Sequence, residues 1–191
     1  VSQLYIVLSG EGDSPCDELI KGGVQAHSLG GLALAEAHYN RALELEPTNP
    51  IALQNLAVCY AQEGKFSDAT ITIERAVIFC DGIGIIMANE AAIALDCFRF
   101  EAGLNAAKAA VKARPDDSHC LFMLGLALRV CGNPDEAVKV YNKALDIVSN
   151  HPMAAVNAAF DQSLTTSTQK DLLWQRKRWY DSNAYKGERQ P

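Results

Sequence analysis

Asparagine stands at positions 55, 89 and 157 of this chain, at multiples of 34 residues, and the same spacing runs back to Lys21 and passes through Met123. A carboxamide donates and accepts at once. One asparagine can therefore pair with both the N–H and the C=O of an extended peptide without reading its side chain. A row of such groups on one surface would hold polypeptide backbone. Gln54, Val58, Phe122, Leu126 and Phe160 fall beside the row, so the candidate peptide-binding groove comprises Lys21, Gln54, Asn55, Val58, Asn89, Phe122, Leu126, Asn157 and Phe160. On this reading the asparagines face solvent when the groove is empty. The bland alternative is a solvated column with no ligand. A groove made for a terminal carboxylate needs several cations, and Lys21 alone disfavours such a clamp.

No constellation for catalysis accompanies the row. The sequence has no glycine-rich phosphate loop, H-E-x-x-H, G-x-S-x-G or C-x-x-C, and His27, His38, His119 and His151 share no ligand spacing. Each histidine is expected at the surface or in the groove, with no metal and no cofactor. Glu44 with Glu46 and Asp135 with Glu136 belong to solvent faces or helix starts, where carboxylates are electrostatically favoured, and do not read as an acid/base pair. Cys16, Cys59, Cys80, Cys97, Cys120 and Cys131 read as buried, reduced thiols. The chain itself is expected to catalyse nothing.

The elements that must position the row follow from its period. With 34-residue units starting at Cys16, Pro50, Gly84 and Ser118, position 8 is Gly23, Ala57, Ala91 and Gly125, and position 20 is Ala35, Ala69, Gly103 and Ala137. Position 27 is alanine throughout: Ala42, Ala76, Ala110 and Ala144. Only small side chains let two helix backbones cross closely. Gly30, Gly64 and Gly132 at position 15 and Pro47 and Pro115 at position 32 then mark the ends of two helices, A and B, in each unit. The pattern resembles the tetratricopeptide repeat. That likeness implies an all-α, right-handed superhelix (α-solenoid) with four helical hairpins over residues 16–151, A helices lining a concave groove, and protein or peptide partners. The third unit departs most, with Glu90 where its neighbours have Leu56 and Leu124 and Phe98 in place of the turn glycine. Local softness is expected there, and Glu90 has no functional explanation.

Composition bounds the class. A chain 49% hydrophobic and 21% charged is ordinary for a packed helical protein. The run Tyr5–Leu8 is far shorter than the ~18 residues of a membrane span and lacks the basic flank of a secretory signal. No membrane is implied, and a cytoplasmic address is expected, with a nuclear one open. The net charge of −6 is unevenly divided: residues 170–191 carry +3, with six basic and three acidic side chains, leaving −9 on residues 1–169. An acidic body argues against nucleic acid as the partner.

The ends depart from the repeat. Val1, Tyr5 and Leu8 fall at positions 20, 24 and 27 of a backward-extended frame, so residues 1–15 read as the end of a preceding repeat in a longer protein or as a cap. Pro152–Leu164 reads as a further A helix, and Thr165–Thr168 as a polar break. Lys170–Ala184 then reads as an amphipathic capping or interdomain helix that docks Leu172, Trp179 and Tyr180 on the end of the superhelix or on another domain. A basic RNA-binding arm is the alternative for this segment.

The asparagine row, together with Asn157-Ala-Ala-Phe-Asp, Asp171-Leu-Leu-Trp-Gln-Arg-Lys-Arg-Trp179 and Gly187-Glu-Arg-Gln-Pro191, resembles the repeat region of O-linked N-acetylglucosamine transferases and SPINDLY-like glycosyltransferases. Gln175 stands where that family usually has histidine, and the preceding Asn-x-Leu-Leu pattern is degenerate. The resemblance implies a sugar transferase domain beyond Pro191, with this segment recruiting its substrates. A stand-alone scaffold or assembly adaptor is the competing reading.

Overall fold

The computed structural model describes residues 14–80, 83–148 and 152–163. Within them nine helices follow one another: α1 (Pro15–Ser28), α2 (Leu32–Leu45), α3 (Pro50–Gln62), α4 (Phe66–Phe79), α5 (Gly84–Asp96), α6 (Phe100–Ala113), α7 (Ser118–Val130), α8 (Pro134–Ile147) and α9 (Pro152–Ser163). Odd-numbered helices are the A helices of the 34-residue frame and even-numbered ones its B helices. The four expected hairpins and the further A helix over 152–163 are all present. The segments 1–13 and 164–191, including Lys170–Ala184, lie outside the described residues.

Local chemistry sets the boundaries. Three A helices start from a side chain that satisfies otherwise orphaned backbone donors: Ser14 accepts from Asp17 N, Asn49 from Ile51 N and Ala52 N, and Asp117 from His119 N and Cys120 N. The A-to-B turns need a left-handed residue. Gly30, Gly64 and Gly132 supply it at φ of +79°, +77° and +84°. In the third unit Phe98 takes φ +59° instead, a conformation costing a residue with a Cβ roughly 1–2 kcal/mol. Its ring packs edge-on against Phe100, with centroids 6.2 Å apart, which offsets part of that cost.

Within each hairpin the small columns serve the crossing. A Cβ added to Gly23 would overlap the Tyr39 ring, and one added to Gly125 would overlap the Tyr141 ring. Both tyrosines are fully buried. The second unit solves the same contact with Ala57 and Ile73. The third reverses it, with Ala91 and Ala107 at these positions and Gly103 leaving room for Leu95, whose Cδ2 would lie 2.7 Å from a Cβ there. Large and small residues are thus traded between the two helices of a unit.

Stacking follows a two-layer rule. Each A helix touches the next A helix, and each B helix touches the A helix of the following unit, whereas successive B helices make no comparable contact. The A layer is therefore the inner, concave one. The core continues from unit to unit through shared members: Leu43 and Tyr60 belong to both the first and second apolar clusters, and Met87 to both the second and third. Neighbouring units hold each other, as expected of a solenoid.

The volume trade makes a double-variant prediction. Gly125→Ala should cost about 1–3 kcal/mol by overpacking, and adding Tyr141→Ile, which recreates the second unit's pair, should recover much of it. Urea denaturation of the wild type, both single variants and the double variant measures the coupling; a neutral Gly125→Ala would mean the crossing is loose.

Candidate functional site

Asn55, Asn89 and Asn157 sit at the same register of α3, α5 and α9, three helices of the concave layer. At 100° per residue, Gln54, Asn55 and Val58 lie on the side of α3 opposite Leu53, Leu56 and Ala57, which pack into the apolar clusters behind it. The expectation that the asparagines face solvent is corrected. Asn55 and Asn89 are 0% exposed and Asn157 9%. Buried amides must be hydrogen-bonded to be tolerated. Asn157 Oδ1 accepts from Arg129 Nη1 at 2.9 Å, and neither Asn55 nor Asn89 is without a partner. Removing them therefore costs stability as well as any ligand contact.

The other groove candidates divide. Gln54, Val58 and Phe122 are buried, with the Phe122 ring 6.0 Å from that of Tyr141; Leu126 is half-buried against the core, and Lys21 is exposed. Phe160 lies on α9, its side chain outside those described. Burial of Gln54 and Val58 together with the asparagines gives a continuous polar and apolar floor on the inner faces of α3 and α5.

Two side-chain clusters that sequence spacing did not bring out cross the A-to-A junctions. In the first, His27 Nε2 lies 2.9 Å from Gln62 Oε1 and His27 Nδ1 3.2 Å from Cys59 Sγ. An amide oxygen only accepts, so Nε2 carries the proton and Nδ1 receives the thiol's. A thiol beside an imidazole is the arrangement of an activated nucleophile. Here burial, then Glu63 and Glu36, push the Cys59 thiol up to about 12, so it stays a protonated donor. His27 and His119 are both buried, which corrects the expectation of surface or groove positions: position 12 in the first unit and position 2 in the fourth face a packed helix rather than water. His38 is half-buried and His151 lies outside the described residues. The cysteines are all free thiols, and burial raises Cys16 to about 11 and Cys120 to about 12.

In the second cluster Arg129 faces α9. Besides its bond to Asn157 it places Nε 3.8 Å from Asp161 Oδ1. Asp161 is fully buried, with neither carboxylate oxygen hydrogen-bonded. Burial pushes its carboxyl up to about 6 against the opposing pull of Arg129. The two clusters are the same junction in different chemistry: position 12 of one unit meets position 10 of the next. Elsewhere Glu90, half-buried on α5 in a shallow pocket with Thr70, Glu74 and Arg99, is also shifted up, by burial first and Glu74 second, with Arg99 opposing. Among the described residues no group of three His, Cys, Asp or Glu side chains converges as a metal site would require.

Two tetratricopeptide-repeat family models match the sequence, one over residues 38–70 and one over residues 91–152. The chain is a tetratricopeptide-repeat protein. No curated protein matches its sequence. Among solved structures it is similar to TTC0263, a thermophilic tetratricopeptide protein of Thermus thermophilus, with 19% identity and a TM-score of 0.70 over 88% of this chain and 98% of that one. It is also similar to YrrB, a tetratricopeptide protein with an unusual peptide-binding site, at 19% identity and a TM-score of 0.62, over 88% of this chain and 86% of that one. An O-GlcNAc transferase of Thermobaculum terrenum matches at 21% identity and a TM-score of 0.64, over 69% of this chain and 26% of the transferase. These identities show the repeat fold. That fold is a protein-interaction scaffold.

The buried carboxylate gives a pH prediction. The Asp161 carboxyl is about 6 in the folded chain against about 3.9 in an unfolded one, so its contribution favours the fold below pH 4 and is lost as pH rises through 6. Asp161→Asn should therefore be more stable than wild type at pH 7, by about 1–3 kcal/mol, and nearly equal to it at pH 4. Denaturant melts at the two pH values check this, and a variant less stable at pH 7 would show that Arg129 outweighs desolvation.

Proposed function

We propose that the concave face binds extended polypeptide, with Asn55, Asn89 and Asn157 holding its backbone and Val58, Phe122, Leu126 and Phe160 adding apolar contact. The observation that supports this is the repetition of one carboxamide at one register on α3, α5 and α9, within the layer that curves inward. Lys21, exposed at the same register of α1, would meet the client at the far end of the groove. The −9 charge of the body makes neutral or basic clients the better fit and nucleic acid a poor one. No described helix is long and apolar enough to cross a membrane, and the six free thiols suit a reducing cytoplasmic or nuclear compartment.

In the fuller form of this reading the groove recruits substrates for an O-GlcNAc-transferase-like domain. Its support is the family resemblance of Asp171–Trp179 and Gly187–Pro191 and the likeness to the repeat region of the Thermobaculum terrenum enzyme. A stand-alone scaffold is favoured instead by TTC0263, nearly the whole of which is covered by this chain. Coding sequence beyond Pro191 separates the two: a parallel α/β pattern with phosphate-binding glycines supports the transferase, and an immediate stop supports the scaffold.

An array of 15-residue peptides, followed by calorimetric titration of the best binders, tests the groove itself. Binders should share little side-chain motif. Asn89→Ala should weaken all of them alike, by roughly fivefold for about 1 kcal/mol per lost hydrogen bond, and the triple Asn→Ala variant by about 10²-fold. Because the asparagines are buried, each variant needs a thermal melt showing that it is folded at the titration temperature. A folded triple variant of unchanged affinity would sink the proposal.

A further inference from the structure

Glu90 stands at position 7 of the third unit, where the second and fourth units have Leu56 and Leu124. One turn further along α5, at position 11, the third unit has Ala94 where they have Tyr60 and Leu128. A gained charge and a loss of volume thus fall side by side on one helix. Together they line an open pocket of about 220 Å³ between α4, α5 and the start of α6, with Thr70, Glu74, Glu90 and Arg99 as its polar lining. At the preceding junction the same register is filled. Leu56 is 4% exposed there, and Lys65 Nζ lies 5.3 Å from the centre of the Tyr60 ring. At the following junction Leu124 and Leu128 belong to the apolar core.

The polar lining is unevenly satisfied. Arg99 Nη1 lies 3.2 Å from Glu74 Oε1, so those two charges answer each other. Glu90 is half-buried, and among the described residues no hydrogen bond reaches its carboxylate. Such a group is costly to keep and is relieved by a donor that is also a cation. The pocket is smaller than the roughly 300 Å³ at which small-molecule sites begin, and its size suits one side chain. We propose that it takes a lysine side chain of a partner protein, with the ammonium donating to Glu90 and to Thr70 Oγ1 and the methylenes lying against Ile73, Ile93 and Ala94. Thr70 Oγ1 has lone-pair capacity beyond its contact with Cys97 Sγ at 3.7 Å. Lysine fits better than arginine, because a guanidinium fork asks for paired acceptors and Glu74 is already engaged, whereas an ammonium is a compact charge on an apolar stem. The −9 charge of the body draws in a cationic partner. Two of the three helices around the pocket are B helices, and Glu90 lies about 100° from Asn89 around α5. The contact is therefore separate from the asparagine row and independent of the groove reading: the row would hold backbone, and this pocket would select a side chain.

Titrating the peptide acetyl-Gly-Gly-Lys-Gly-Gly-amide into the isotope-labelled full chain, followed by amide NMR shifts, tests this. Shifts should fall on Thr70, Ala94, Arg99 and Ala102 and saturate as a single site. The same peptide carrying acetyl-lysine or norleucine should leave those amides unmoved. Glu90→Gln should weaken the lysine peptide by about tenfold or more, the loss expected when a charge-assisted hydrogen bond is removed. Ala94→Leu, which restores the residue of the fourth unit, should abolish the shifts while leaving the net charge unchanged. A thermal melt of each variant shows that it is folded. General attraction to an acidic surface gives a different result, binding that survives Ala94→Leu or that moves amides at other carboxylates, and either outcome overturns the proposal. So does equal binding of the norleucine peptide, or an absence of shifts up to tens of millimolar lysine peptide.

Discussion

Two helices of one unit lie close because a large side chain on one meets a small residue on the other. Gly23 with Tyr39, Ala57 with Ile73, and Gly125 with Tyr141 hold this rule directly, and the third unit meets it by pairing Gly103 with Leu95. Everything outward depends on that separation. It fixes where each hairpin presents its second apolar face, hence how the next hairpin sits, hence the line on which Asn55 and Asn89 fall. A looser crossing in any unit would change the curvature and break the register of the inner face before it exposed a single core residue.

The backbone skeleton was legible because its determinants are local. Glycine at 30, 64 and 132 and small residues at positions 8, 20 and 27 act within one hairpin, so their spacing reports both the helix ends and the crossing. Phe98 was readable for the same reason, as an exception in a column of glycines, although its edge-on contact with Phe100 was not. The inner face was misjudged, because whether Asn55 and Asn89 are wet depends on their tertiary surroundings, a property no periodicity carries. His27 with Cys59 escaped a motif search for a different reason. The partners are 32 residues apart, one period less two, and a search confined to a single unit cannot see a contact between units.

Polarity is unevenly distributed along the stack. The outer junctions are joined by hydrogen-bonding or ionic groups, His27 to Cys59 and Arg129 to Asp161. The corresponding residues at the inner junctions are Ala61 with Ile93 and Leu95 with Ala127, all apolar and buried. Dry contacts gain from area removed from water, whereas the polar ones roughly offset desolvation against pairing, and the one that holds Asp161 responds to pH. Exposed ion pairs between B helices, Lys65 with Glu36 and Arg99 with Glu74, add little to this.

Those junctions also bear on how such an array can change by duplication and deletion. Units joined by uniform apolar seams can be copied, lost or reordered with little penalty. Here, losing the third unit would set Ala61 of the second against Ala127 of the fourth, two small residues where the parent stack has one large, and copying the fourth would bring Arg129 against an alanine with no carboxylate to meet it. That would leave a part-buried cation without its counter-charge. The seam chemistry therefore gives each hairpin a fixed address, and the number and order of the units are held by the same contacts that hold the stack together.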